Sequence, residues 1–256
     1  MNQSIKPSKT IAKEKDYYPG MYHKTRPKVY DIVERAFKDW QKEQVAKGKK
    51  RTKKYPMICF SRNIGVGALE VADILGKKIG YRIIDREILE HIVTREHLDK
   101  KLEAFIDERC PSEIEDILAM LFGERSFTQN EYSRLLFRTI FSVADIGPAI
   151  FVGRGAHLIL PRDRVLAVRL ICSTEFRIKR LSAMLKIPEN AASVKLNHYD
   201  MDQKNFFRRV YNLDNAPASE FDMVINRDYI KDAKGIAEIV EIAFREKFGD
   251  EYILNE

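Results

Sequence analysis

An apolar run, Met57-Ile58-Cys59-Phe60, leads into Ser61-Arg62-Asn63-Ile64-Gly65-Val66-Gly67 and then into the helix-forming Ala68-Leu69-Glu70-Val71-Ala72. A buried strand, a glycine turn and a helix start in this order make a phosphate-binding loop. Consecutive backbone N–H groups and a helix N-terminus converge on an anion, and the glycines let the backbone come close. The commoner form of such a loop, G-x-x-x-x-G-K-[ST], ends in a lysine and a hydroxyl. Here Ala68 and Leu69 stand in those places. The backbone frame is present and two familiar side chains are missing. Arg62 is the candidate to replace the lysine, because a guanidinium meets phosphate oxygens with a fork of donors. Ser61, Arg62, Asn63, Gly65, Val66, Gly67 and Ala68 are therefore expected to cradle a phosphate. The plainer alternative is a strand-to-helix turn that uses glycine for shape alone.

The rest of the body repeats the alternation. Strands are expected at 57–60, 82–84, 149–152, 165–171 and 222–226, with helices over 66–79, from 86 to about 95, and over 232–248. A mostly helical stretch spans 98–146, and a polar helical segment spans 186–215. Apolar strands alternating with helices predict an α/β fold: a parallel sheet of about five strands covered by helices on both faces. Ligands of such sheets sit outside the carboxyl ends of the strands. That is where the loop at 61–67, the pair Asp85-Arg86 and the turn Gly153-Arg154-Gly155 all fall.

Charge divides the chain. Residues 1–54 hold 16 Lys/Arg against 6 Asp/Glu, whereas the remaining 202 hold 29 against 32, so the overall +7 belongs to an N-terminal arm. The slightly acidic body argues against nucleic acid, except through that basic arm. Within the arm, Val29, Ile32, Val33, Phe37 and Trp40 recur at helical spacing over 27–45. The stripe either docks on the body or serves a protein partner or self-association. No stretch has the ~18–20 apolar residues of a membrane span. Cys59, Cys110 and Cys172 are odd in number and show neither zinc spacing nor a disulfide framework. With no apolar segment behind the first residues, the cytoplasm is the expected compartment.

Four short segments, in order, resemble the cytidylate kinase-like family, a branch of the P-loop nucleoside monophosphate kinases. They are Ser61-Arg62-Asn63-Ile64-Gly65-Val66-Gly67-Ala68, Asp85-Arg86-Glu87-Ile88, Val152-Gly153-Arg154-Gly155-Ala156, and Glu220-Phe221-Asp222-Met223-Val224-Ile225-Asn226. The resemblance spans about residues 55–245. It implies a P-loop NTPase-like domain over 55–250, with an acceptor-side helical insertion at about 86–147 and a lid at about 186–215. It also implies ATP as donor, Mg2+ as cofactor, and CMP or a similar small acceptor as substrate. Arg62, Asp85 and Arg154 become the candidate catalytic residues, and Asp85, Arg86, Gly153 and Arg154 the acceptor site.

Other residues admit two readings. Asp85 is either a magnesium partner or the cap of the helix that follows. Arg177 and Arg180, three apart on one helix, either reach phosphate in a closed lid or lie on a solvated face. Arg208 and Arg209 are candidates to replace lid arginines that Asp200-Met201-Asp202-Gln203 does not supply. The missing lysine, hydroxyl and lid arginines keep a second reading open: a catalytically weak nucleotide-binding sensor.

Overall fold

In the computed structural model, residues 55–93, 131–214 and 216–254 are described. The basic arm at 1–54 lies outside them, and so does the part of the expected acceptor-side insertion at 94–130. The described chain runs β1 (Met57–Arg62), α1 (Ala68–Ile79), β2 (Arg82–Asp85), α2 (Arg86–Val93), α3 (Glu131–Ile146), β3 (Ala149–Val152), the one-turn α4 (Ala156–Ile159), β4 (Val165–Ile171), α5 (Thr174–Leu185), α6 (Glu189–Tyr211), β5 (Met223–Asn226) and α7 (Ala233–Phe248).

All five strands are parallel, in the order β2-β3-β1-β4-β5. β1 is central, with Cys59 beside Phe151 on one side and Ala167 on the other. Side chains alternate between the two sides of a strand. Met57, Cys59, Phe151 and Ala167 accordingly join one core with Ile88, Leu89, Phe137, Phe206 and Tyr211. Ile58, Phe60, Ile150, Leu166 and Val168 join the opposite core with residues of α1 and α7 such as Leu75, Ile236 and Phe244. A sheet buried on both faces explains why its strands read as unbroken apolar runs.

Local signals set several boundaries. Gly80, in the left-handed region at φ 75°, ends α1 and donates its N–H to the Gly76 carbonyl. Asp232 caps α7 by accepting from the N–H groups of Lys234 and Gly235. The polar segment expected at 186–215 is one helix of 23 residues; Lys186, in the left-handed region, ends α5 before it, and Asn212, also left-handed, ends the helix itself. Its first half shares a small third core with the loop and α5, formed by Ile64, Leu181, Ala192 and Leu196. Its last turns, through Phe206, Val210 and Tyr211, enter the core around Phe151. α6 therefore touches both sites that the sequence separates.

Candidate active site

Two groups of arginines gather at the carboxyl ends of the strands. The first surrounds a cavity of about 360 Å3 lined by Ser61, Arg62, Arg86, Glu90, Gly153, Arg154, Asp202, Gln203, Phe206 and Arg209, among others. The second lies on the glycine loop.

The cavity is built around an uncommon turn. Gly153, Arg154 and Gly155 have φ values of 89°, 54° and 70°, three consecutive residues in the left-handed region. For arginine this costs about 1–2 kcal/mol, so packing must hold it there. The Tyr211 hydroxyl donates to the Arg154 carbonyl. A Cβ on Gly155 would lie 2.6–2.7 Å from the Tyr211 ring. On the other side, the Gly153 N–H donates to the Phe60 carbonyl at 2.9 Å, which fastens the turn to the central strand. Strain of this kind gathers where a side chain must be aimed.

The aimed group is the Arg154 guanidinium. Its Cζ lies over the Phe206 ring, 3.8 Å from the ring centre, and it pairs with Glu90. The same carboxylate accepts from Arg86 Nε at 3.1 and 3.0 Å. Burial first, then the neighbouring charges of Arg86 and Arg62, push the Arg154 pKa down to about 9, and the group remains cationic at neutral pH. Arg86 is likewise lowered, chiefly by burial. Four arginines against Glu90 and Asp202 leave the cavity lining with an excess of positive charge. A concentration of cations in a partly desolvated cleft favours an anion.

Arg62 stands between the cavity and the loop. Its Nη1 donates to Gln203 Oε1 at 3.5 Å while Gln203 Nε2 donates to its carbonyl at 3.2 Å, which ties α6 to the end of β1. Its Nη2 lies 4.0 Å from the place a Gly153 Cβ would occupy. Ser61 lines the same cavity. Arg62 thus faces the Gly-Arg-Gly turn, and different arginines lie over the glycine loop.

Those arginines are Arg180 and Arg227. Gly65 and Gly67 have φ of 83° and 82°, and a Cβ on Gly67 would lie 2.9 Å from Arg180 Cζ and run into the Arg227 guanidinium. Arg227 Nη1 donates to the Val66 carbonyl at 2.7 Å and Nη2 to the Lys231 carbonyl at 2.6 Å. Arg180 pairs with Glu70 at 2.9 Å, and Arg227 Nη1 lies 3.7 Å from the same oxygen. Val66 and Ala68 are buried in the core beneath, and the loop is closed by a Val66 N–H to Asn63 carbonyl bond of 3.3 Å. Asn63 Oδ1 is buried without a hydrogen-bond partner. Arg227 escaped the sequence reading; the available signal was a charged residue directly after a strand end.

The remaining candidates separate by their partners. Arg177 is buried and donates to both oxygens of Asp200, at 2.9 and 2.8 Å, and to the Ile64 carbonyl at 3.4 Å. It joins α5, α6 and the loop. Arg177 and Arg180 therefore turn to different partners, Asp200 and Glu70, and neither lies on a solvated face. Arg208 pairs with Asp214 on the surface, whereas Arg209, one residue on, lies 5.5 Å over the Tyr132 ring and lines the cavity. Asp85 is 2% exposed and accepts from the Ile88 N–H at 3.0 Å, which caps α2. Leu69 packs in the core at 7% exposure. Among the described residues, no cluster of three His, Cys, Asp or Glu is placed to hold a metal.

His157, next to the Gly-Arg-Gly turn, stacks on Phe221 at 4.8 Å. Burial, with Arg162 and Arg169 behind it, pushes its pKa down to about 4. It is neutral at pH 7, so its 3.8 Å approach to Glu220 is not an ion pair there. Cys59 and Cys172 are free thiols.

A parallel α/β sheet that gathers arginines at its carboxyl edge, beside a glycine turn leading into a helix, has the build of a phosphate-handling protein. The family model for the cytidylate kinase-like family matches residues 57–229, and the chain belongs to that family. No significant match is found among curated proteins. Among solved structures, an uncharacterized protein from Eubacterium ventriosum is similar at a TM-score of 0.56 and 16% identity, covering 76% of this chain and 99% of that one. Shikimate kinase from Bacteroides thetaiotaomicron gives a TM-score of 0.41 at 13% identity, covering 74% and 98%. The shikimate kinase of Acinetobacter baumannii, in complex with shikimate, gives 0.38 at 18% identity, covering 76% and 96%. Of the three, only the first likeness bears on the fold. No helix among the described residues is long and apolar enough to cross a membrane.

Proposed function

We propose that the chain is a phosphotransferase that moves the γ-phosphoryl group of ATP to a small phosphate-bearing acceptor, with CMP the first to test. An acceptor oxygen attacks the γ-phosphorus, the bond to the β–γ bridging oxygen breaks, and ADP leaves. Such a reaction needs in-line positioning and neutralised oxygen charge more than covalent help. The observation that carries the reading is Arg154, an arginine with a largely covered side chain, kept in a strained backbone conformation and aimed into a cation-rich cavity. Arg86, Arg154 and Arg209 serve the acceptor. Arg180, Arg227 and the backbone of residues 65–67 serve the donor. Arg62, between the two, bridges toward the transferred group.

The residues present make a poor direct site for magnesium. The place of the usual hydroxyl is a core leucine, and Asp85 is a buried helix cap. Magnesium keeps much of its water shell and binds through substrate phosphates, so it enters with the donor and Asp85 acts by holding α2, which carries Arg86. A cytoplasmic location fits free thiols and an ATP donor.

A second reading, a nucleotide-binding sensor without turnover, is favoured by one specific fact: Ala68 and Leu69 are both core residues and cannot contact phosphate with side chains. A coupled ADP-release assay across nucleoside monophosphates, run beside nucleotide-induced shifts in Tm, decides between the two. Turnover with at least one monophosphate is expected. Thermal shifts without turnover would select the sensor. Neither would remove nucleotides from the reading altogether.

A further inference from the structure

Glu90 has no place in the reaction above, yet it is paired with two of the three acceptor arginines. It sits one helical turn beyond Arg86 on α2, accepts from Arg86 Nε with both oxygens at 3.0–3.1 Å, and pairs with Arg154 across the cavity. Its side chain is 29% exposed, whereas that of Arg154 is 9% exposed. The arginine is fixed: Phe206 lies beneath it, and its backbone is locked by Gly153, Gly155 and Tyr211. The carboxylate is the more accessible partner, on a side chain with three rotatable bonds. A ligand entering this cleft meets a pair of arginines whose anion site is already filled.

We infer that Glu90 is a resident anion of the acceptor site, which the phosphate of the acceptor must displace from Arg86 and Arg154. The inference rests on the acceptor reading of this cavity. It also names the ligand class. A tethered carboxylate competes at a high effective concentration. A free carboxylate or hydroxyl offers the two arginines nothing better than Glu90 does. A phosphate monoester brings ≈ −1.5 to −2 charges and three strong acceptor oxygens, enough to span both guanidiniums. Glu90 therefore selects phosphate monoesters against singly charged metabolites, and between turnovers it spares the cleft the repulsion of unpaired arginines.

The test is Glu90→Gln, with Glu90→Ala beside it, in the full chain. Inorganic phosphate, CMP and cytidine are titrated by calorimetry. Both variants are expected to bind phosphate and CMP about tenfold tighter than the wild type, on the scale of one charge-assisted hydrogen bond removed from competition, with cytidine unchanged. Without ligand they are expected to melt at lower temperature, and the increase in Tm on adding phosphate should be larger than in the wild type. Singly charged acetate, which wild type excludes, should begin to bind. Unchanged or weaker phosphate binding in both variants overturns the inference and leaves Glu90 a buttress of Arg86. Failure of phosphate and CMP to bind to any of the three proteins overturns it as well. The outcome stands apart from that for catalysis: tighter binding without turnover keeps Glu90 as resident anion and selects the sensor, whereas turnover together with unchanged phosphate and CMP binding in the variants keeps the kinase and discards this inference.

Discussion

Replacing Arg154 with glycine separates stability from ligand binding, because the two depend on different parts of the residue. The backbone, at φ 54°, suits glycine better than arginine, and relief of the left-handed conformation returns about 1–2 kcal/mol. Against this, glycine's greater freedom in the unfolded chain costs roughly 0.5–1 kcal/mol. Loss of the guanidinium over Phe206 costs about 0.5–2 kcal/mol. Glu90 loses one partner but keeps Arg86. Removing one of four mutually repelling cations works in favour of the variant. The net change in unfolding free energy should be below about 2 kcal/mol, within the range of an ordinary point mutation. Binding behaves differently. A charge-assisted hydrogen bond to phosphate is worth about 1.5–3 kcal/mol, so acceptor affinity should fall about 10- to 150-fold. Urea unfolding and calorimetric titration with CMP and inorganic phosphate supply the two numbers, and the Tyr211 hydroxyl should hold the turn in both proteins. A variant destabilised by more than about 3 kcal/mol with intact phosphate affinity would show that Arg154 is a packing residue.

Three further outcomes follow from the geometry. Leu69→Thr, which restores the hydroxyl of the commoner loop, should cost about 2–4 kcal/mol of stability in thermal unfolding, because Leu69 is a core residue; gain of magnesium-dependent activity without that loss would contradict the packing of α1. Arg209→Ala should weaken CMP binding about fivefold or more, while Arg208→Ala, which breaks only an exposed pair with Asp214, should leave both binding and stability unchanged; equal effects would mean the register of α6 is wrong. For His157, the folded pKa of about 4 lies below the ordinary 6.5, so the unfolded chain binds more protons between them. Stability from this group is complete above pH 6.5 and drains away as pH falls through 4, by roughly 3 kcal/mol in all. Glu220, raised by burial, contributes with the opposite sign, so the measurement is the difference between wild type and His157→Phe; parallel pH profiles for the two would refute the neutral buried imidazole.

What the sequence alone determined is what neighbouring residues can dictate. Alternating apolar runs specified five strands, and Gly65, Gly67, Gly153 and Gly155 marked the two turns because only such residues take those backbone angles without penalty. Gly80 and Asp232 placed helix ends by local hydrogen bonds. Tertiary structure alone decided where each arginine's guanidinium goes and what it meets. Arg177 finds Asp200 on another helix, Arg180 finds Glu70, Arg227 reaches the Val66 carbonyl from 161 residues away, and Arg154 meets Glu90 and Phe206. The spacing of Arg177 and Arg180 suggested a pair, yet a guanidinium on a long, rotatable stem goes where packing and a counter-charge hold it, several ångströms from its own backbone. Strand and turn are encoded within a few residues of themselves. The partner of a long charged side chain is encoded in the whole fold.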